Sequence, residues 1–272
     1  MKFLQEGGLY LPLRYRIEKK IIDIDQRKYS NLDPPGDRPT YDKLQINDPY
    51  LGYKGIVYTP IDLPKLEIDK KQVNELLTSK TFIKQYPGTT FNCQHGAGPV
   101  LFLKHNHFRE PEMDGQWFDW VDKEIPHVKE FITNLPYKSI RQLSFVAPPN
   151  NTSAHYDEPL NATPYLRKQS PSCYRIRWSD VTDYEEEVFF LTRDSEATKI
   201  YPVLPLETNT FVYDGSVYEH GADKGFPIAD RCQIIISGLL DLEKHHALLD
   251  KSIEKYSNYV LHDKLFMALA EN

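Results

Sequence analysis

Cysteine is scarce in this chain. Cys93, Cys173 and Cys232 are the only three in 272 residues, and no two have C-x-x-C spacing. That excludes a disulfide-stapled fold and argues against zinc or dithiol chemistry, leaving small buried hydrophobes as the default. Long apolar runs are missing too, since none approaches the ~18–20 residues a bilayer-spanning helix needs. The opening MKFLQEGGLYLPLRYR has neither an apolar core of roughly 7–15 residues nor a small-residue cleavage site. No secretory signal is therefore expected, and the sequons at Asn150 and Asn161 carry little meaning. Lys and Arg nowhere cluster, and 33 of them against 39 Asp and Glu leave a net charge of −6. This balance argues against a general nucleic-acid binder. Neither membrane nor nucleic acid is expected as a partner, and a reducing cytoplasm is the expected location.

Aromatics and prolines are plentiful. Tyr (18) and Phe (13) supply the large buried surfaces that disordered chains lack, and 20 Pro punctuate the sequence. The first fifty residues are polar, and Asn31 to Pro39 (NLDPPGDRP) reads as an exposed, turn-rich stretch. Strands are expected at Gly55 to Ile61 and Val100 to Lys104. Asp69 caps an expected helix, with Gln72 placed to complete a capping box. From Asp119 to Leu135, Val121, Ile125, Val128, Phe131, Ile132 and Leu135 recur at helical spacing, and Pro126 predicts a break. Between Ile140 and Leu240 the texture becomes short strands between turns: RQLSFVA, CYRIRW, EVFFLT, KIYPVL, NTFVYD and QIIISGLL. Such spacing marks a β-sandwich or barrel. Leu242, Leu249, Ile253, Tyr256 and Val260 then form one helical stripe. The expected division is an N-terminal α/β extension (1–139), a β core (140–240) and a C-terminal helix (241–272), together one structural domain.

Chemistry concentrates in SAHYDEP. His155 and Asp157 lie two apart, so an extended backbone would put both on one face. His220 follows 65 residues after His155, and Arg231 eleven residues after that, opening the last apolar strand. Two imidazoles and a carboxylate on one face leave three positions of a metal open, the facial triad of non-haem Fe(II) oxygenases. A nearby arginine can grip the far carboxylate of a dicarboxylate co-substrate in a two-pronged ion pair. An H-x-D triplet alone is also what a surface histidine beside a turn-forming aspartate leaves. The ordered H-x-D…H…R inside a β-rich region is far more specific.

The stretch from Ser144 to about Leu240, little more than a third of the chain, resembles the aspartyl/asparaginyl β-hydroxylase-like branch of the Fe(II)/2-oxoglutarate dioxygenases, which includes free-proline hydroxylases. LSFVAPPNNTSAHYD is similar to the family's serine-then-H-x-D segment, CYRIRW to its Arg-x-His strand, and TFVYDGSVYEH to its approach to the distal histidine. The resemblance implies a double-stranded β-helix (jelly-roll, cupin-like) core with flanking helices. It implies Fe(II) held by His155, Asp157 and His220, and 2-oxoglutarate bound by Arg231, Ser144 and Arg175. Arg177 stands where the family has histidine. About a dozen residues, NATPYLRKQSPS, form an insertion after the H-x-D and are expected to serve as a substrate lid. Halogenases of the superfamily replace the carboxylate with Gly or Ala, so Asp157 favours hydroxylation. The implied enzyme uses O2 to hydroxylate an amino acid, a peptidyl residue or an amino-acid-derived small molecule, with succinate and CO2 as co-products. Desaturation or cyclisation, and a non-catalytic β-sandwich binding module, are the alternatives.

Other histidines carry less. His105, His107 and Glu112 partly imitate a cupin metal motif, but the glycine spacings are wrong and no second half follows. They are expected to be polar loop or substrate-pocket residues. His95 and the His245–His246 pair are expected to be surface or capping groups.

Overall fold

In the computed structural model the described residues are 5–6, 9–10, 15–19, 53–93, 98–105, 114–146, 152–155, 174–178, 189–192, 198–202, 204–213, 219–222 and 232–262. In chain order they form β1 (Gln5–Glu6), β2 (Leu9–Tyr10), β3 (Tyr15–Lys19) and β4 (Ile56–Pro60). Helices α1 (Lys70–Thr78) and α2 (Lys80–Gln85) come next, then β5 (Thr90–Cys93) and β6 (Gly98–Phe102). Helices α3 (Asp119–Glu124) and α4 (Pro126–Thr133) precede β7 (Tyr137–Val146), β8 (Thr152–His155), β9 (Tyr174–Trp178) and β10 (Phe189–Thr192). The chain continues through β11 (Thr198–Pro202), β12 (Thr210–Tyr213), β13 (Glu219–Ala222) and β14 (Cys232–Leu240). Helix α5 (Leu242–Lys255) and β15 (Leu261–His262) complete it.

The local reasons are legible. Asp69 accepts hydrogen bonds from the Lys71 and Gln72 amides and so caps α1. Gln72 does not close the expected capping box. Its side-chain amide donates instead to the Glu124 carbonyl, tying α1 to the end of α3. Pro126 splits the long apolar stripe as expected and sits at the first turn of α4, where its missing N–H costs nothing.

Strands β7 to β14 fold as four nested antiparallel pairs: β7 with β14, β8 with β13, β9 with β12, and β10 with β11. Alternate members fall into two sheets, one containing β11-β10-β13-β8 and the other β12-β9-β14-β7. That arrangement is a jelly roll. Three further segments widen it. Strand β3 pairs beside β11, β15 and β4 extend the larger sheet past β12, and β6 and β5 extend it past β7. The polar N-terminal stretch thus contributes a strand that its composition did not announce.

The larger sheet has two unlike faces. Leu101, Leu143, Phe145, Tyr174, Ile176, Ile234 and Ile236 point to the helices, meeting Val73 and Leu77 of α1, Phe82 of α2, Trp120 and Val121 of α3, Val128 and Ile132 of α4, and Leu249 of α5. Full burial of each aliphatic side chain is worth about 1.5–3 kcal/mol, so this seam supplies most of the hydrophobic stabilisation visible among the described residues. Its other face looks into the jelly roll. The pleat sends Ser144, Arg175, Phe211 and Tyr213 there, and Phe189 of the smaller sheet meets Phe211 and Tyr213 at 5.4 and 5.1 Å between ring centroids.

Candidate functional site

Register brings the two candidate metal histidines together. In the β8–β13 pair His155 stands directly opposite His220, across a register shift that follows at Ala222. Opposed residues of an antiparallel pair share a face and have Cα atoms about 4.5–5.5 Å apart. His220 is buried, with its ring 4.8 Å from that of Tyr213 in an edge-to-face contact. Asp157, Arg231 and the His155 side chain lie outside the described residues, as does the NATPYLRKQSPS segment. Among the described residues, no group of three His, Cys, Asp or Glu side chains could hold a metal.

A second set lies on the facing sheet. Ser144 of β7 pairs with Ile235 of β14, and Ile235 pairs in turn with Arg175 of β9. Directly opposed residues share a face, so these three form one row across the interior. Both polar members are buried, Ser144 at 0% and Arg175 at 2% relative exposure. The Ser144 hydroxyl has no hydrogen-bond partner among the described residues. An unmatched buried hydroxyl costs about 1–3 kcal/mol, which marks it as a place where a ligand oxygen fits. The Arg175 guanidinium lies 5.3 Å over the Tyr213 ring and reaches back 3.4 Å to the Tyr174 carbonyl. Arg177, two residues on and on the same face, is only half-buried, and its backbone N–H bonds Asn209.

Solvent access follows the same face. Along β14, Ile234 and Ile236 on the helix side are fully buried, whereas Gln233 and Ile235 on the interior side are only partly so. A half-open apolar floor flanked by a free hydroxyl and a buried cation can take a small molecule with an aliphatic stem and anionic ends. The residue types suit Fe(II) and 2-oxoglutarate: imidazole nitrogens for the metal, a hydroxyl donor and guanidinium for the carboxylates.

The remaining histidines divide. His105 is exposed and packs its ring against Phe118 at 4.0 Å, while His95, His107 and Glu112 lie outside the described residues. His245 is not the surface or capping group its sequence suggested. It is buried on the inward side of α5, with Nδ1 2.9 Å from the Tyr174 hydroxyl. Burial, with a smaller contribution from neighbouring His246, pushes its pKa down to about 4. His246 stacks on Tyr53 at 4.0 Å.

Two features of the molecule escaped sequence reasoning altogether. Tyr213 lies between the two halves of the site, and only its alternation with Val212 hinted that it faced inward. Lys104 is 2% exposed, ion-paired with Asp114 at 2.7 Å and 5.0 Å from the Trp117 ring. Burial outweighs that pairing and lowers its pKa.

No family model matches the chain, and no curated protein does. Structural similarity extends to 23 solved chains. One is an oxidoreductase of the 2OG-Fe(II) oxygenase family from Burkholderia pseudomallei, 8% identical at a TM-score of 0.33, covering 65% of this chain and 94% of that one. Another is EvdMO1, 16% identical at a TM-score of 0.36, covering 72% of this chain and 49%, about half, of its own length. Scores and identities this low do not bear on function. No helix among the described residues is long and apolar enough to cross a membrane.

Proposed function

We propose that the chain is an Fe(II)- and 2-oxoglutarate-dependent oxygenase that hydroxylates an amino acid, a peptidyl residue or an amino-acid-derived small molecule. The observation that carries this reading is the backbone opposition of His155 and His220 in one sheet of a jelly roll, with the His220 ring and the Ser144–Ile235–Arg175 row turned to the interior between the sheets.

In this reading His155, Asp157 and His220 would hold the metal. Bound ferrous iron with 2-oxoglutarate and O2 supplies an oxidation of a C–H bond coupled to decarboxylation of the co-substrate to succinate and CO2. The chain's own part is placement. Ser144 would donate its hydroxyl proton, which has no partner among the described residues, to a carboxylate oxygen. Arg175 and Arg231 would neutralise carboxylates, and the half-buried Arg177 lies two residues from Arg175 on the same face of β9. Phe189, Phe211 and Tyr213 would keep bulk water from the reacting centre, which both strengthens these ion pairs and protects the site. Asp157 would fill the metal position that halogenases leave open, so hydroxylation is the proposed outcome. The residues after Asp157 would cover the substrate, and a cytoplasmic, reducing setting would keep the iron ferrous.

Anaerobic addition of Fe(II) and 2-oxoglutarate is expected to give a weak visible charge-transfer band, and admitting O2 to release succinate. His220→Ala is expected to abolish both. A wild-type chain with neither band nor succinate would be a binding module instead, and retention of both signals by His220→Ala would overturn the metal assignment.

A further inference from the structure

Tyr213 touches both halves of the candidate site. Its ring is 2% exposed, meets His220 edge to face at 4.8 Å with an interplanar angle of 63°, and carries the Arg175 guanidinium at 5.3 Å. His220 belongs to the smaller sheet and Arg175 to the larger, so this ring spans the interior between them. Phe189 at 5.1 Å and Phe211 at 6.0 Å hold Tyr213 from the remaining sides. Ring orientation is thereby set by packing from both sheets. An edge-to-face contact fixes the tilt of an imidazole, and a ring face attracts a guanidinium, so one side chain imposes two orientations at once.

The geometry points to Tyr213 as a positioning residue that holds His220 for the metal and Arg175 for the co-substrate carboxylate together. This rests on the oxygenase reading above. Its consequence is coupling. If the ring is lost, both groups relax, and metal and dicarboxylate binding weaken together. The aromatic face carries the effect.

The experiment compares Tyr213→Leu, Tyr213→Phe and Phe190→Leu. Phe190→Leu serves as the control, because it removes an equally buried ring that packs on Tyr201 rather than on Tyr213. Mn(II) affinity is measured alone, and 2-oxoglutarate affinity at saturating Mn(II). Side-chain ¹⁵N resonances of His220 and Arg175 are recorded in the metal-free protein. Tyr213→Leu is expected to weaken both affinities about three- to tenfold and to move both resonances. Tyr213→Phe, which keeps the ring face, is expected to stay within about twofold, and Phe190→Leu to leave both affinities within about twofold despite a lower melting temperature. A folded Tyr213→Leu with wild-type affinities and unmoved resonances would overturn the proposal, as would Phe190→Leu matching it in both affinities. Should Tyr213→Leu fail to fold, Tyr213→Met, which fills the space without a ring face, carries the same comparison. A wild-type chain that binds no Mn(II) would sink the oxygenase reading instead, and the resonances would still report whether the ring orients both groups.

Discussion

Acidification is expected to destabilise the fold through His245. Its imidazole is 7% exposed and has a folded pKa of about 4, held down chiefly by burial, against about 6.5 in an unfolded chain. The folded state therefore resists protonation while the unfolded state accepts it. Stability contributed by the neutral ring is fully present above about pH 6.5 and is lost as pH falls towards 4. The gap of roughly 2.5 units, at 1.36 kcal/mol each, gives a loss of about 3 kcal/mol across that window. For a chain of this size that is a fall in melting temperature of roughly 6–12 °C. Carboxylates titrate in part of the same window, so the wild type alone is not diagnostic. His245→Asn places an amide near the Nδ1 position, where it can still bond the Tyr174 hydroxyl 2.9 Å away, and it cannot titrate. Urea unfolding of both proteins at pH 7, 6, 5 and 4.5 isolates the histidine, because shared terms cancel in the difference. The variant is expected to start less stable at pH 7 and to lose less on the way down, with the two curves converging. Parallel curves would refute the assignment of His245 as a buried neutral imidazole.

Two further perturbations test the packing. Gly238→Ala is expected to cost about 1–3 kcal/mol in urea unfolding, because a Cβ there would meet the Ser139 carbonyl oxygen at 2.1 Å and only backbone can move away. A neutral effect would contradict the close approach of β7 and β14 at this bulge. Lys104→Met is expected to leave stability unchanged or slightly raised, since Asp114 is 56% exposed and water can solvate it once the ammonium is gone. Asp114→Ala is expected to cost about 2–3 kcal/mol, stranding a buried ammonium and removing the acceptor of the Ile140 amide. Thermal melts that rank Lys104→Met as the worse of the two would contradict this account.

Much of the local structure was legible because local chemistry decides it. Asp69 before an apolar-periodic run, Pro126 inside one, and the alternation of Tyr174, Ile176 and their neighbours announce a cap, a break and a strand without reference to the rest of the chain. Other features depended on a distant partner. Gln72 serves Glu124 rather than its own helix end, and the side of α5 that meets Tyr174 determines whether His245 is surface or core. Strand β3 alternates Tyr15, Arg16, Ile17 and Glu18, too short a run to announce a strand inside a polar stretch, and it pairs along the edge that β11 offers.

The chain by itself determined which residue types could do chemistry, their order, and the short-strand texture that predicts a β-sandwich or barrel. Tertiary structure alone decided which residues meet. His155 and His220 are 65 residues apart, and Ser144 and Arg175 belong to strands that never pair, with β14 between them. A slip of one residue in any of those pairings would turn a whole set of side chains to the opposite face. The nested pairing of β7 to β14, anchored by the apolar seam against the helices, holds the register that puts Ser144, Arg175, Tyr213 and His220 on the inside.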